Sequence, residues 1–253
     1  MIELPTTPIE AIQKDPRFII LFGKPKCGKT TIASLLPNNL LIDLEDGSDF
    51  VSSMKVKATT VESLRDIIIA LQKSEHQYDF ITLDTATILE DVILPLANQL
   101  YRATPMGKSW EIDKKTGLPN PNADVKTLPQ GGGYLYVREA YKKIINSFTP
   151  YPKKALILLG HSADKLIDKD GKELSTMEID LTGKLKRLIP AKADALGYVY
   201  RKKNKTIISF EGGDNTVVEA RPEHLRGKSI VVAESDEDNK ITAHWERIFT
   251  SLL

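Results

Sequence analysis

Residues 17–30 read RFIILFGKPKCGKT, and the order of residue types along them decides the fold. The run RFIILF at 17–22 is apolar without alternation, the pattern of a strand buried on both faces. It passes straight into GKPKCGKT at 23–30, which fits glycine, any four residues, then Gly-Lys-Thr. A helix is expected over 29–36, stopped near Pro37. Strand, glycine-rich loop and helix are the setting in which this pattern cradles phosphate. Candidate nucleotide contacts are therefore Gly23, Lys24, Pro25, Lys26, Cys27, Gly28, Lys29, Thr30 and Thr31. Backbone N–H groups surround the anion, Lys29 reaches the β- and γ-phosphates, and the Thr30 hydroxyl binds Mg²⁺. Gly28 lets the backbone come close. Cys27 sits among lysines at a helix start, where a thiol pKa tends to fall, unless it simply fills an unconstrained loop position.

Outward from this loop the chain alternates. NLLIDLE at 39–45 reads as a second strand, and Thr59 with Glu62 as a capping box before a helix bearing Val61, Leu64, Ile68 and Leu71. YDFITLD then gives a strand ending at Asp84, and a helix follows with Pro95 as its kink. Such alternation predicts an α/β domain with a mainly parallel sheet. Residues 103–133 lose all period, with prolines at 105, 119, 121 and 129 and glycines at 131–133, so this stretch is either functional or disordered. A helix with Val137, Ala140, Tyr141, Ile144 and Phe148 restores the period, and KALILLGH at 154–161 is a fourth strand. Asp170-Gly171 marks a hairpin turn. ALGYVYR gives a fifth strand at 195–201, TIISF and TVVEA read as a further hairpin, and the closing KITAHWERIFTSLL as a terminal helix.

The 253 residues are 41% hydrophobic and 27% charged, enough to hold a core in one domain without staples. No apolar run approaches the roughly 20 residues that span a bilayer, and the acidic, proline-containing start lacks a signal-peptide pattern. A single cysteine suits a reducing cytoplasm. The net charge of +1 hides an uneven distribution. Residues 181–206 carry eight Lys/Arg against Asp194 alone, whereas 207–253 carry five against nine acids. The basic stretch reads equally as a binding surface or a solvated face.

A phosphate loop calls for a second strand ending in aspartate, whose carboxylate helps hold Mg²⁺; FITLD supplies Asp84. A carboxylate must also orient the attacking water. Thr85, not glutamate, follows Asp84, which weakens the AAA+ arrangement with a base beside that aspartate. In LIDLEDGSD the expected base is Glu45, with Asp46 and Asp49 as alternatives.

On these residues the chain resembles the RecA-type ATPases, and specifically phage-encoded RecA-like ATP-binding proteins of single-strand annealing and recombination. LLIDLEDGSD is similar to the RecA strand whose Phe-Ile-Asp-Ala-Glu segment bears the catalytic glutamate, and LDTATIL to its aspartate strand. The resemblance covers about residues 17–206. It implies a five-stranded sheet of order 5-1-4-3-2 with hairpin additions, use of ATP and Mg²⁺, and a location in the host cytoplasm. It places His161, where that family has glutamine, as the γ-phosphate sensor at the end of the fourth strand; a satisfied polar residue there is the alternative. KNK at 203–205 is similar to a RecA element that reaches a neighbour's ATP, so Lys203 and Lys205 would act in trans within a homo-oligomeric ring or filament, contact DNA, or form a solvated turn. Segments 104–133 and 162–180 correspond to loops that bind single-stranded DNA. The first contains Lys108, Trp110, Lys114, Lys115 and Lys126, with Tyr134 just after it, suited to backbone tracking and base stacking, unless Trp110 packs onto the domain. The implied function is ATP hydrolysis coupled to single-stranded DNA. Rival readings are an ATP-gated assembly module with little hydrolysis and a small-molecule phosphotransferase, although 104–133 has no arginine to form a phosphate lid.

Overall fold

Parallel strands bring their carboxyl ends to one edge, and here that edge collects the chemistry. The computed structural model describes residues 4, 6–8, 10–169, 172–213 and 216–253, with backbone alone at 165–169 and 172–175. The chain runs β1 (Phe18–Gly23), α1 (Lys29–Ser34), β2 (Asn39–Asp43), β3 (Met54–Lys57), α2 (Val61–Lys73), β4 (Phe80–Asp84), α3 (Ala86–Val92), α4 (Leu94–Arg102) and α5 (Tyr134–Phe148). It continues through β5 (Ala155–Lys169), β6 (Lys172–Ile179), α6 (Leu185–Leu188), β7 (Ala195–Lys202), β8 (Lys205–Ser209), β9 (Glu219–Ala220), β10 (Ser229–Ser235) and β11 (Ile241–Ala243). The sheet order is β11-β10-β8-β7-β1-β5-β4-β2-β3, with β6 on β5 and β9 on β7. Its five central parallel strands follow the expected order 5-1-4-3-2, and the antiparallel strands are the additions.

Alternate residues of β1 serve two cores. Phe18, Ile20 and Phe22 face one with Leu64, Leu89, Tyr141 and Phe148 from α2, α3 and α5. Ile19 and Leu21 face the other, with Ile32, Ala33 and Leu36 beside the α1 turn and Trp245 and Phe249 from the C-terminus. Every β1 residue is buried, as the unalternating apolar run requires. Pro95 sits at the start of α4, and the helix expected around it divides there into α3 and α4.

Several local expectations are corrected. The capping box is Thr60 with Ser63, because extended Thr60 accepts from the Ser63 amide at 3.1 Å while the Ser63 hydroxyl accepts from the Thr60 amide at 3.1 Å. TIISF does not pair with TVVEA: β8 pairs antiparallel with β7 through a two-residue turn in which Lys203 takes φ 55°. A two-residue connection closes at lower entropic cost than the loop after Phe210. The other edge of β8 is taken by β10, and β9 pairs with the start of β7, which β8 leaves open. No terminal helix forms among the described residues. Ile241–Ala243 adds to β10, and two short 3₁₀ turns follow, anchored where the Trp245 indole donates to the Ile32 carbonyl and Asp15 accepts from the Thr250 and Ser251 amides. These tertiary bonds outweigh helical propensity over so short a segment. β3 is a short, lysine-bearing edge strand without a sequence signal.

Two hairpins rise from the carboxyl edge on either side of β1. β5 runs past His161 and pairs with β6 from Ser162↔Ile179 to Lys169↔Lys172; the expected Asp170-Gly171 turn lies outside the described residues. β7 and β8 form the other.

Candidate nucleotide site

Register sets the site. Asp43 lies beside Asp84 across the β2–β4 pair, Asp84 beside Leu159, and His161 beside Gly23, so Glu45, Asp84, His161 and the phosphate loop share one edge. In the loop, Lys26 and Gly28 both adopt left-handed backbone, φ 63° and 99°; such alternation turns successive N–H groups inward as an anion nest. Gly23 is obligatory for another reason: a Cβ there would lie 2.3 Å from the Val199 carbonyl oxygen. Buried Lys29 folds back across the nest, its Nζ donating to the carbonyls of Gly23 at 2.9 Å and Lys24 at 3.0 Å. An ammonium held by two carbonyl oxygens would exchange them for a phosphate oxygen, which is a charged and stronger acceptor. Cys27 is 3.9 Å from Nζ, yet burial pushes its thiol up rather than down, so the low-pKa expectation is corrected.

Thr30 donates to Asp84 at 2.6 Å. Asp84 is 5% exposed, and desolvation lifts its carboxyl to about 6, aided by the nearby charges of Glu45 and Asp43 and opposed by Thr30 and Lys29. A buried carboxylate of raised pKa, bonded to a hydroxyl beside the nest, suits a hard divalent cation that neutralises it. Thr30 and Asp84 would hold Mg²⁺, which supplies neutralisation of phosphate charge. No cluster of three or more His, Cys, Asp or Glu exists to hold a metal among the described residues, so the remaining ligands would be phosphate and water oxygens.

Glu45 is distinguished from its neighbours by contacts. Asp46 and Asp49 both pair with Lys57 on β3, away from the loop. Asp43 accepts from the amides of Glu45 at 3.0 Å, Gly47 at 3.3 Å and Ser48 at 2.8 Å, which builds the turn that aims Glu45. The Glu45 Oε1 then accepts from the Thr85 hydroxyl at 2.7 Å and meets His161 Nε2 at 2.7 Å. These two bonds, His161 first, hold its carboxyl below the usual range despite partial burial. The His161 Nδ1 is buried without a partner among the described residues. Oε2 of Glu45 has no partner among the described residues.

Thr85, which the sequence offered only as the small hydroxylated residue after the aspartate strand and gave no role, is thus the group that ties β4 to Glu45. Arg201 was missed as well: it stands near Gly28, on the face of β7 that Val199 turns toward α1. Lys203 is at the exposed β7–β8 tip and Lys205 pairs with Glu234 at 3.5 Å, both beyond the chain's own phosphate loop. The basic stretch 181–206 is divided in space, since Lys192 lies near Asn146 and the start of β7, while Arg201–Lys205 lie at its far end. Trp110 packs onto the domain, edge-on to Tyr101 at 5.2 Å and beneath the Arg102 guanidinium. The hairpin within 162–180 carries three lysines against five acids between 162 and 179, a poor match for phosphate. An open cavity of about 820 Å³ bordered by Asp15, Asp194, Arg221 and His224 lies at the opposite edge of the sheet, its charged groups largely paired among themselves or with backbone.

A family model described as an AAA domain matches residues 15–229. The chain belongs to this AAA domain family. The matched span contains the phosphate loop, the Asp84 strand and all five central parallel strands. No curated protein matches it. Among similar solved structures is the RadB recombinase, 10% identical, covering 91% of this chain and 92% of that one with a TM-score of 0.46. The AAA domain here carries its candidate base on the neighbouring strand, with Thr85 bridging the gap. No helix is long and apolar enough to cross a membrane among the described residues.

Proposed function

We propose that this AAA domain hydrolyses ATP with Mg²⁺, and that it does so on single-stranded DNA as a RecA-like recombination or annealing protein. The observation that carries the catalytic part is the state of Glu45: both hydrogen bonds fall on Oε1, leaving Oε2 available to a water, at the sheet edge where Glu45 and Asp84 each feel the Lys29 charge. Binding through the loop backbone and Lys29 positions the γ-phosphate, and Glu45 orients the nucleophile. His161 acts as a positioning residue on Glu45.

Single-stranded DNA is supported by the resemblance and by the basic tip of the β7–β8 hairpin, with Lys202 and Lys203 exposed. The contacts of Trp110 and the acidic balance of the β5–β6 hairpin move the proposed DNA surface away from base stacking at 104–133 and toward that tip. Lys203 would reach a neighbouring copy or the DNA backbone. Steady-state ATP turnover with and without single-stranded DNA, using Lys29→Ala as the blank, tests the proposal. Turnover stimulated several-fold by DNA is expected; nucleotide binding with no response of turnover or assembly to DNA would remove the DNA part.

A further inference from the structure

Gly28 faces the Arg201 guanidinium, which is exposed and has no acidic partner among the described residues. A Cβ built on Gly28 would meet no atom closer than Arg201 Nε at 3.6 Å, followed by Thr206 Oγ1 at 3.8 Å and Arg201 Cζ at 4.0 Å. A side chain at this nest residue would therefore meet a cation and a hydroxyl first, at ordinary van der Waals distance. Ala195 and Val199 of β7 pack in the core that contains Ile32, Ala33 and Leu36, so Arg201, two residues past Val199, continues the face on the α1 side. Its cross-strand partner is Thr206, which offers no charge. The acid nearest along the ladder, Glu234, is occupied by Lys205 at 3.5 Å. The Arg201 guanidinium makes no hydrogen bond or ion pair with any described residue.

A fork that keeps its charge, set beside inward-turned N–H groups, matches an anion that offers it a pair of oxygens, as a phosphate group does. On the nucleotide-binding reading above, we infer that Arg201 holds the phosphate chain of a nucleoside diphosphate or triphosphate from within the same subunit. Gly28 belongs to the part of the loop whose N–H groups cradle the α- and β-phosphates, so the arginine serves ADP and ATP alike. This role differs from the one proposed for Lys203, two residues on at the hairpin tip. Thr206, 4% exposed and opposite Arg201, limits the guanidinium to the Gly28 side.

Fluorescence titration of the full chain with a labelled ADP, and by competition with unlabelled ADP and a non-hydrolysable ATP analogue, tests this. Arg201→Ala should weaken both ligands by about 10- to 100-fold, the range for a hydrogen bond to a charged group. Arg201→Lys should fall between, since it keeps charge but loses the fork. Lys228→Ala, which removes an exposed charge from the surface without touching the loop, should stay within about twofold, separating contact from net charge. Circular dichroism and melting of each variant establish that it is folded. Wild-type binding that vanishes in Lys29→Ala but is unchanged in Arg201→Ala overturns the assignment while leaving the nucleotide reading intact. Recovery of Arg201→Ala binding on adding Lys29→Ala protein, whose Arg201 is intact, would show action in trans and overturn it too. If the wild type binds neither ligand, the nucleotide reading falls and the assignment with it.

Discussion

Asp84→Asn should make the ligand-free protein more stable and catalytically dead. In the folded chain the Asp84 carboxyl titrates at about 6 against an ordinary 3.8, because burial disfavours its charge. Below 3.8 both folded and unfolded chains carry the proton and ionisation costs nothing. Between 3.8 and about 6 the unfolded chain gives up its proton first, so stability falls as pH rises; above about 6 both are ionised and the penalty is constant. At 1.36 kcal/mol for each pKa unit, the full penalty is about 3 kcal/mol, of which about half is present at pH 5 and nearly all at pH 8. Asparagine keeps a carbonyl to accept from Thr30 and carries no charge, so the variant should escape this penalty. Urea unfolding of both proteins in EDTA, from pH 5 to pH 8, should give a stability gap that widens with pH by about 1 to 2 kcal/mol. Turnover of the variant should be lost in parallel. A gap that is flat across this range, or a variant less stable than wild type at pH 8, would refute the claim that Asp84 is a strained, desolvated carboxylate awaiting a cation.

The other expectations concern the base, the loop and the C-terminal anchor. Glu45→Gln should lower kcat by about 10²- to 10⁴-fold with ADP affinity kept within a few-fold, measured by single-turnover hydrolysis and titration. His161→Ala should lower kcat without changing KM, and His161→Gln, which retains a donor for Oε1, should recover part of the loss; equal loss in both would rule out positioning through this bond. Gly23→Ala forces a Cβ against the Val199 carbonyl and should cost about 1–3 kcal/mol by overpacking, visible in melting before any activity is measured. Trp245→Phe removes the indole bond to the Ile32 carbonyl and leaves a buried acceptor unpaired, a loss of about 1–3 kcal/mol by denaturant unfolding.

The parallel core was legible because it follows from local signals that tertiary context does not overrule. β1, β2, β4 and the first six residues of β5 are buried on both faces, so each reads as an apolar run; β1, β2 and β4 end at the chemical residue or just before it, and the buried run of β5 stops just before His161. Strand order came from resemblance and could not have come from periodicity. What failed was structure held by distant partners. The C-terminal stretch has a helical composition, yet Asp15, 235 residues away from Thr250, fixes it as a turn. The pairing of β8 depended on whether Lys203 would take a left-handed conformation, a choice that asparagine or glycine would have advertised and lysine does not. In the site, Glu45 was placed by its strand-end position and then by likeness, and Asp84 by motif; Thr85 entered only as the small hydroxylated residue of the aspartate strand, with no partner assigned, and Arg201 belongs to no motif. Arg201 had one usable signal, its even spacing from the buried Ala195, Gly197 and Val199, which places it on the α1 face of the strand. The basic stretch misled in the opposite sense, since closeness in sequence placed Lys192 and Lys203 together although β7 holds them at opposite ends.

The Glu45 arrangement resolves a tension within the proposed reaction. Two donors on Oε1 lower the basicity of the carboxylate, and a weaker base removes a proton less readily. The same two donors come from different strands, Thr85 after β4 and His161 within β5, and together with the Asp43 turn they fix the plane of a carboxylate that would otherwise rotate freely. Phosphoryl transfer passes through a loose transition state in which little proton abstraction is needed early and alignment of the water is worth most. For that chemistry a rigid weak base is better than a mobile strong one. The clamp also joins the γ-phosphate edge to the β5–β6 hairpin through a single residue, because His161 is the last position before that hairpin begins at Ser162.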